Sequence, residues 1–166
     1  IMASRGGKLP SVRGEMQTIK FKYLTLENFD QLKAENMGVV PLEEAVELFK
    51  KECEEREIPL QKLLKRRKYD AVRDLNYDLN HPEDLGALQS VFEALKENMD
   101  WIWNSLSRED QSQFITKYHR YLKENTNPMP RETALLLIDA IKAGDLEILS
   151  GLENVRQYYG KYRLAF

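Results

Sequence analysis

The side chains that most often carry chemistry in enzymes are few in this 166-residue chain. His81 and His119 are its histidines, and neither has an acidic residue at the spacing of a metal ligand. Cys53, the single cysteine, falls on the apolar face of a predicted helix, which favours a buried and unreactive thiol. No serine lies in the glycine-flanked context of a nucleophile elbow. The sequence therefore predicts no catalytic residue and no metal site of its own.

Glycine spacing and charge also bear on phosphate binding. The chain contains no Gly-x-Gly, and Gly7-Lys8 lacks the upstream glycine of a phosphate-binding loop. The dense basic run Lys65-Arg66-Arg67-Lys68 could contact phosphates. However, the net charge is −2 and no nucleic-acid motif accompanies the run, which favours a solvated helix end. We do not expect nucleic acid as a partner.

The first residues carry a more specific signal. An apolar run ends at Ser4-Arg5 and is followed by Gly6 and Gly7, a pattern typical of the second strand in dinucleotide-binding folds. An arginine at that strand end can reach the 2′-phosphate of NADP. Arg5 is therefore a candidate cofactor-binding residue, and a flexible basic tail is the alternative.

Helical periodicity dominates the middle of the chain. Thr25 is a predicted N-cap, and one apolar face continues for about 23 residues from Leu85 to Leu106. A capping box at Ser107 predicts a helix through Leu122, and a further helix is predicted from Arg131 to Ala143. Trp101 and Trp103 cannot share a helix face, so we expect one in the core and the other, Trp103, lining a pocket.

Period-two patterns lie near both ends. Residues 146–149 are predicted as a strand, Ser150-Gly151 as a turn, and 155–159 and 161–166 as strands that meet at Gly160. Residues 19–24 could also be extended. The predicted fold class is therefore mainly α, a bundle-like helical domain with short strand pieces at both ends. Both ends resemble cuts through an extended element, and a trimmed terminus is the alternative.

Composition sets the cellular context. The chain is 42% hydrophobic and 31% charged, which is typical of a globular domain. No apolar run is long enough to cross a bilayer, and the first residues lack a secretory signal. We therefore expect a cytoplasmic protein that does not bind membranes.

Two stretches carry a family resemblance. Ser4-Arg5-Gly6-Gly7-Lys8-Leu9-Pro10 is similar to the Ser-Arg-x-Gly-x-Leu-Pro segment of a bacterial family of FAD/NAD(P)-binding oxidoreductases. This similarity implies that Ser4 and Arg5 bind near the nicotinamide cofactor. A second stretch agrees with this family in order and spacing. It comprises Trp103, Leu106, Phe114, Asn127-Pro128-Met129-Pro130, Gly144-Asp145-Leu146 and Gly151.

The resemblance implies an internal piece of a larger flavoprotein. Residues 1–14 would be a strand end and basic loop of the parent dinucleotide-binding domain. Residues 15–145 would be a helical insertion that shapes the substrate side of the flavin, and 146–166 would return to the parent sheet. The FAD and NAD(P) sites would then lie in the rest of the parent protein, which is the expected partner, and this fragment alone would hold no cofactor and be inactive.

The resemblance also suggests where an unknown small-molecule substrate would bind. Met129 would belong to a pocket loop, beside Asn127 and Arg131. Family members commonly have Arg-His-Arg before Met-Pro, whereas this chain has Thr126-Asn127-Pro128, so Arg131 would have to supply any anion contact. The rival hypothesis is a free-standing helical module that binds a partner helix or a nucleic acid through residues 65–68.

Overall fold

The computed structural model describes residues 2–4, 8–65, 70–150, 154–158 and 161–165, and the chain is mainly helical, as predicted. Within these ranges the α-helices are α1 Leu26–Glu35, α2 Leu42–Glu55, α3 Leu60–Leu64, α4 Ala71–Asn80, α5 Pro82–Leu95, α6 Met99–Ser105, α7 Arg108–Lys117, α8 His119–Thr126 and α9 Arg131–Ala143. The strands are β1 Met2–Ser4, β2 Ile148–Ser150, β3 Asn154–Tyr158 and β4 Lys161–Ala165. None of the helices in these ranges has the length and apolarity needed to span a bilayer.

Several helix ends follow from local side-chain chemistry. The Thr25 hydroxyl accepts a hydrogen bond from the Asn28 N–H at the start of α1, and Ser107 caps α7 by accepting from the Asp110 N–H. At the end of α9, Gly144 adopts the left-handed conformation with φ 80°, which glycine tolerates without a Cβ clash. The predicted limits of α9 and the two predicted caps are confirmed.

Two predicted helices are interrupted. The apolar face predicted from Leu85 to Leu106 is split between α5 and α6 by a 3₁₀ turn at Lys96–Asn98. The helix predicted to run on to Leu122 is broken at Tyr118. Periodicity missed both breaks because the apolar residues beyond each of them, Ile102 and Leu122, still pack against the first apolar cluster.

Helix α4 was not predicted from the sequence. Its cap is Asp70, whose side chain accepts from the Arg73 N–H, and its inner face carries Leu75, Leu79 and the carboxylate of Asp78. Val72, Leu75 and Leu79 recur at helical spacing and pack on the second cluster, but the helix has only ten residues, which makes this a short signal.

The buried apolar residues form two clusters. The first joins side chains of α1, α2, α3, α5 and α6 with partly buried residues of α7 and α8. The second lies between α4, α9 and the N-terminal segment, residues 8–24. Its buried members are Leu9, Val12, Leu75, Leu79, Met129, Ala134 and Ile138.

Residues 8–24 contain no helix and no named strand, so residues 19–24 form no β-strand. Buried polar side chains of the helices satisfy the backbone of this segment instead. Asp78 accepts from the Val12 N–H at 2.9 Å, and the Gln89 amide accepts from Gly14 at 2.9 Å and donates to the Val12 carbonyl at 2.8 Å. Because each buried backbone group needs a partner, these side chains hold the segment in place across the helices.

The strands form two short pairs. β1 and β2 are parallel, with Met2 opposite Ile148 and Ser4 opposite Ser150. β3 and β4 are antiparallel, with Val155 opposite Leu164. The strand predicted at 146–149 is thus shifted toward the C-terminus, and the predicted hairpin strands are present. Gly151 of the predicted turn, and Gly160, lie outside the described residues.

Candidate functional site

An apolar cavity of about 210 Å³ lies inside the first cluster, between α2, α3 and helices α5 to α8. Its walls are lined by Leu24, Phe29, Leu42, Ala45, Val46, Phe49, Lys50, Leu60, Leu64, Phe92, Leu95, Met99, Ile102, Trp103, Leu106, Phe114, Tyr118, Tyr121 and Leu122. Well-packed protein interiors contain few voids larger than a water molecule. A space of this size therefore distinguishes the site from an ordinary core.

Aromatic rings form much of the wall. Phe49 of α2 stacks on Phe92 of α5, with ring centroids 5.3 Å apart. Trp103 of α6 meets Phe114 of α7 edge to face at 6.0 Å, and Phe114 contacts Tyr118 at 6.2 Å. These pairs fix the orientation of the rings, because offset and edge-to-face arrangements are the favoured ones.

The surface that the cavity presents to an occupant is entirely apolar. Lys50 contributes its aliphatic stem, while its ammonium group forms an ion pair with Glu47 and the side chain is 48% exposed. In the described part of the chain, no buried side-chain nitrogen or oxygen lacks a hydrogen-bond partner. The cavity can therefore bind an apolar molecule, and its walls offer no group for acid–base or nucleophilic chemistry.

Of the four residues predicted for the substrate pocket, Trp103 lines this cavity. Met129 instead belongs to the second cluster, and its backbone pairs with the N-terminal segment through Ser11 and Arg13 at 2.8 Å each. Arg131 donates to the Leu79 carbonyl at 3.2 Å, and Asn127 is exposed. The structure thus places the 127–131 loop apart from Trp103, against a different apolar cluster.

The two tryptophans are both half-buried against the first cluster, and they contact different residues. Trp101 contacts Phe29 at 6.2 Å, and the Lys33 ammonium lies 5.1 Å from its ring. Trp103, two residues later, lies on the cavity wall. Trp103 is therefore the tryptophan that would report on an occupant of the cavity.

The predicted cofactor-binding residues lie at the N-terminal strand. Ser4 is the last residue of β1 and is opposite Ser150 of β2. Arg5 lies outside the described residues, as do residues 66–68 of the basic run.

The remaining candidates for chemistry occupy structural positions. Cys53 is 1% exposed, and burial raises the pKa of its thiol to about 12. The ring of His81 stacks on Tyr77 at 4.0 Å, and its Nδ1 is 2.8 Å from the Tyr77 carbonyl oxygen. His119 is exposed. In the ranges that the structure describes, no three His, Cys, Asp or Glu residues are grouped in a way that could hold a metal ion.

Most of the cavity residues were not identified from the sequence as site residues. Phe49, Phe92 and Phe114 were assigned to apolar helix faces, and that assignment is compatible with both a packed core and a cavity wall. The one sequence feature that could have indicated a cavity was the number of aromatic residues on these faces. That number does not show whether the rings fill the space between the helices.

Comparisons of the chain with protein-family models, curated proteins and solved structures found no match. The resemblance to FAD/NAD(P)-binding oxidoreductases therefore rests on the residues quoted from the sequence.

Proposed function

We propose that this chain is a helical domain of a cytoplasmic FAD/NAD(P)-dependent oxidoreductase, inserted between two neighbouring parallel strands of the dinucleotide-binding domain. Residues 1–14 would be a strand end and basic loop of the parent domain, of which residues 8–14 pack against the helical body. Residues 15–145 would form the insertion, and 146–166 would return to the parent sheet. Its role would be to shape the substrate side of the flavin site and to limit the access of water. The parent would transfer a hydride from the nicotinamide to the flavin, with the protein supplying orientation.

The parallel pairing of β1 with β2 is the observation that supports this proposal most strongly. These strands are hydrogen-bonded neighbours although more than 140 residues separate them in the chain. The helical body forms the crossover between them. Parallel strands occur almost only in larger sheets whose two faces are covered. A two-stranded parallel pair of this kind is therefore expected to continue into further strands, which the parent domain would supply.

The rival, a free-standing interaction module, has one observation in its favour. Leu135 and Leu136 of α9 are 45% and 71% exposed, so α9 presents an apolar face outward. A partner protein could cover this face, but so could the remainder of the parent oxidoreductase. The presence of a flavin in the complete protein separates the two hypotheses.

Substitution of Arg5 tests the cofactor assignment in the complete protein. If Arg5 contacts the 2′-phosphate of NADP, we expect Arg5→Ala to raise the KM for NADPH roughly tenfold or more, because a hydrogen bond to a charged group contributes about 1.5–3 kcal/mol. The KM for NADH should change little, since NADH lacks that phosphate. Steady-state kinetics with each nicotinamide would measure both values.

Arg13→Ala is the matched control, because Arg13 is an exposed arginine eight residues further along the same segment. It should change neither KM. Equal losses of NADPH and NADH affinity in the Arg5 variant, or equal effects of the Arg5 and Arg13 substitutions, would contradict the assignment of Arg5.

A further inference from the structure

We propose that the cavity between α2, α3 and α5 to α8 binds an uncharged hydrocarbon-like small molecule, or the hydrocarbon part of one, with Trp103 on the wall of the site. All of the lining residues belong to the helical body or lie just before it. The inference is therefore independent of the parent oxidoreductase and would hold for a free-standing protein as well.

The size of the cavity selects the size of the ligand. An engineered apolar cavity of about 150 Å³ stays dry and takes up benzene. The cavity described here measures about 210 Å³, so it has room for more than a single ring. A medium-length alkyl chain or a fused bicyclic ring system is the corresponding class of molecule.

The polarity of the wall selects the charge of the ligand. Moving an ionised carboxylate into apolar surroundings without a partner is strongly unfavourable. The nearest cationic group on the wall is that of Lys50, and it is already paired with Glu47 at the surface. A neutral molecule does not lose the solvation of a charge on entering the cavity. Neutral ligands should therefore bind better than carboxylates of the same chain length.

A small molecule fits the site better than a partner protein does. Stable protein interfaces bury roughly 1,200–2,000 Å² in total. This cavity instead extends from buried residues such as Leu24 and Phe92 to half-buried ones such as Tyr118 and Tyr121. Such a space holds a medium-length alkyl chain or a fused bicyclic ring and offers no broad face for a helix or a second copy of the chain.

Tryptophan fluorescence of the 166-residue chain tests the proposal. The chain has two tryptophans, so Trp101→Phe leaves Trp103 on the cavity wall as the only reporter, and Trp103→Phe leaves Trp101. We would titrate both variants with 1-hexanol, 1-octanol, 1-decanol and decanoate. The Trp103 reporter should show a saturable change with one alcohol molecule per chain, and the Trp101 reporter a much smaller one.

Affinity should follow burial of the alkyl chain. Each added methylene should tighten binding about fourfold, so 1-decanol, with two more methylenes, should bind roughly 15-fold more tightly than 1-octanol if both fit. Decanoate should bind at least about tenfold more weakly than 1-decanol, because its carboxylate has no partner on the wall.

Filling the cavity provides the matched mutational test. Ala45→Phe places a ring in the cavity and should weaken 1-decanol binding more than about tenfold. Ala143→Phe makes the same change at an exposed position of α9 and should leave binding unaltered. If Ala45→Phe does not fold, the alcohol series and the pair of tryptophan variants still test whether the cavity binds an apolar ligand.

Three results would overturn the proposal. The first is the absence of any saturable response of Trp103 to the alcohols. The second is tighter binding of decanoate than of 1-decanol, lost in Lys50→Gln, which would make the ligand an anion held by Lys50. The third is a Trp103 signal that depends on protein concentration and not on alcohol, which would mean that a second copy of the chain occupies the cavity.

Discussion

Replacing Gly86 with alanine is expected to destabilise the protein by about 3 kcal/mol or more, the upper end of the cost of overpacking a core. Gly86 lies in α5 where the N-terminal segment crosses that helix. A Cβ on Gly86 would lie 2.1 Å from the Glu15 carbonyl oxygen and 2.4 Å from the Glu15 nitrogen. These are backbone atoms, so the clash can be relieved only by moving the segment off the helix. Urea denaturation at equilibrium would measure the change in the free energy of unfolding.

The crossing is tight from both sides. A Cβ on Gly14 would lie 2.3 Å from the Gly86 nitrogen, so Gly14→Ala should be similarly costly. Gly144→Ala is the control, because no atom lies within 4 Å of a Cβ there and only the left-handed φ of 80° is strained. Its cost should be near 1 kcal/mol. A Gly86 variant no less stable than the Gly144 variant would contradict the close crossing.

The second large effect is expected at Glu52. Its side chain is fully buried, and its Oε2 accepts hydrogen bonds from the backbone N–H groups of Lys22 at 3.0 Å and Tyr23 at 2.7 Å. Its Oε1 pairs with Arg56, at 2.8 Å from Nη2. Glu52→Ala would leave these donors without their acceptor, and we expect a loss of about 3–5 kcal/mol in the free energy of unfolding.

Glu55→Ala is the matched control for Glu52→Ala. Glu55 lies one helical turn further along α2 and pairs with Lys22, but both side chains are about half exposed. Exposed ion pairs contribute about 0–1 kcal/mol, so this variant should remain near the stability of the wild type. Comparable losses in the two variants, measured by urea denaturation at pH 7, would show that Glu52 does not anchor residues 22–24.

Glu52 also makes stability depend on pH. Burial by itself would raise the pKa of this carboxyl, but the hydrogen bonds from Tyr23, Arg56 and Lys22 outweigh burial and hold the pKa below its ordinary value of 4.5. The unfolded chain therefore takes up the proton first, and the stabilisation present above pH 4.5 is lost as the pH falls toward the lower folded pKa. Because glutamine does not titrate, the free energy of unfolding of Glu52→Gln, measured by urea denaturation, should fall less than that of the wild type as the pH is lowered below 4.5.

The sequence predicts helices well where an apolar stripe and its caps are both uninterrupted. α9 has such a stripe between Pro130 and Gly144, and its limits were predicted correctly. α4 was missed although Val72, Leu75 and Leu79 recur at helical spacing along its ten residues. Its inward-facing Asp78 accepts from the Val12 N–H of a segment more than 60 residues away. No local pattern encodes such a contact, because the partner of Asp78 is defined only once the chain has folded.

The path of residues 8–24 could not be predicted for the same reason. Its backbone partners are side chains of α2, α4 and α5, including Gln89 and Glu52. Periodicity of apolar residues indicates the buried faces of helices and strands, and residues 8–24 form neither. The glycines that allow it to cross α5, Gly14 and Gly86, looked like ordinary turn and helix glycines in the sequence.

Of the four residues predicted for the substrate pocket, Trp103 is the one that lines the cavity. Helix geometry predicted only that the two tryptophans lie on different faces, because residues two apart on a helix cannot share one. Met129 and Arg131 were grouped with it through the family resemblance. In the structure the loop before α9 is held by Ser11 and Arg13 against the second cluster, which separates it from the cavity. Whether an apolar face leaves a cavity depends on how neighbouring helices meet, which a sequence does not express.

The visible absorbance spectrum of the protein purified from the complete reading frame around this segment tests the proposed function most directly. If the helical body is an insertion in an FAD/NAD(P)-dependent oxidoreductase, the protein will carry a flavin spectrum that bleaches when NADPH is added under anaerobic conditions. A colourless protein, with no flavin released on denaturation, would contradict the oxidoreductase and favour the free-standing interaction module.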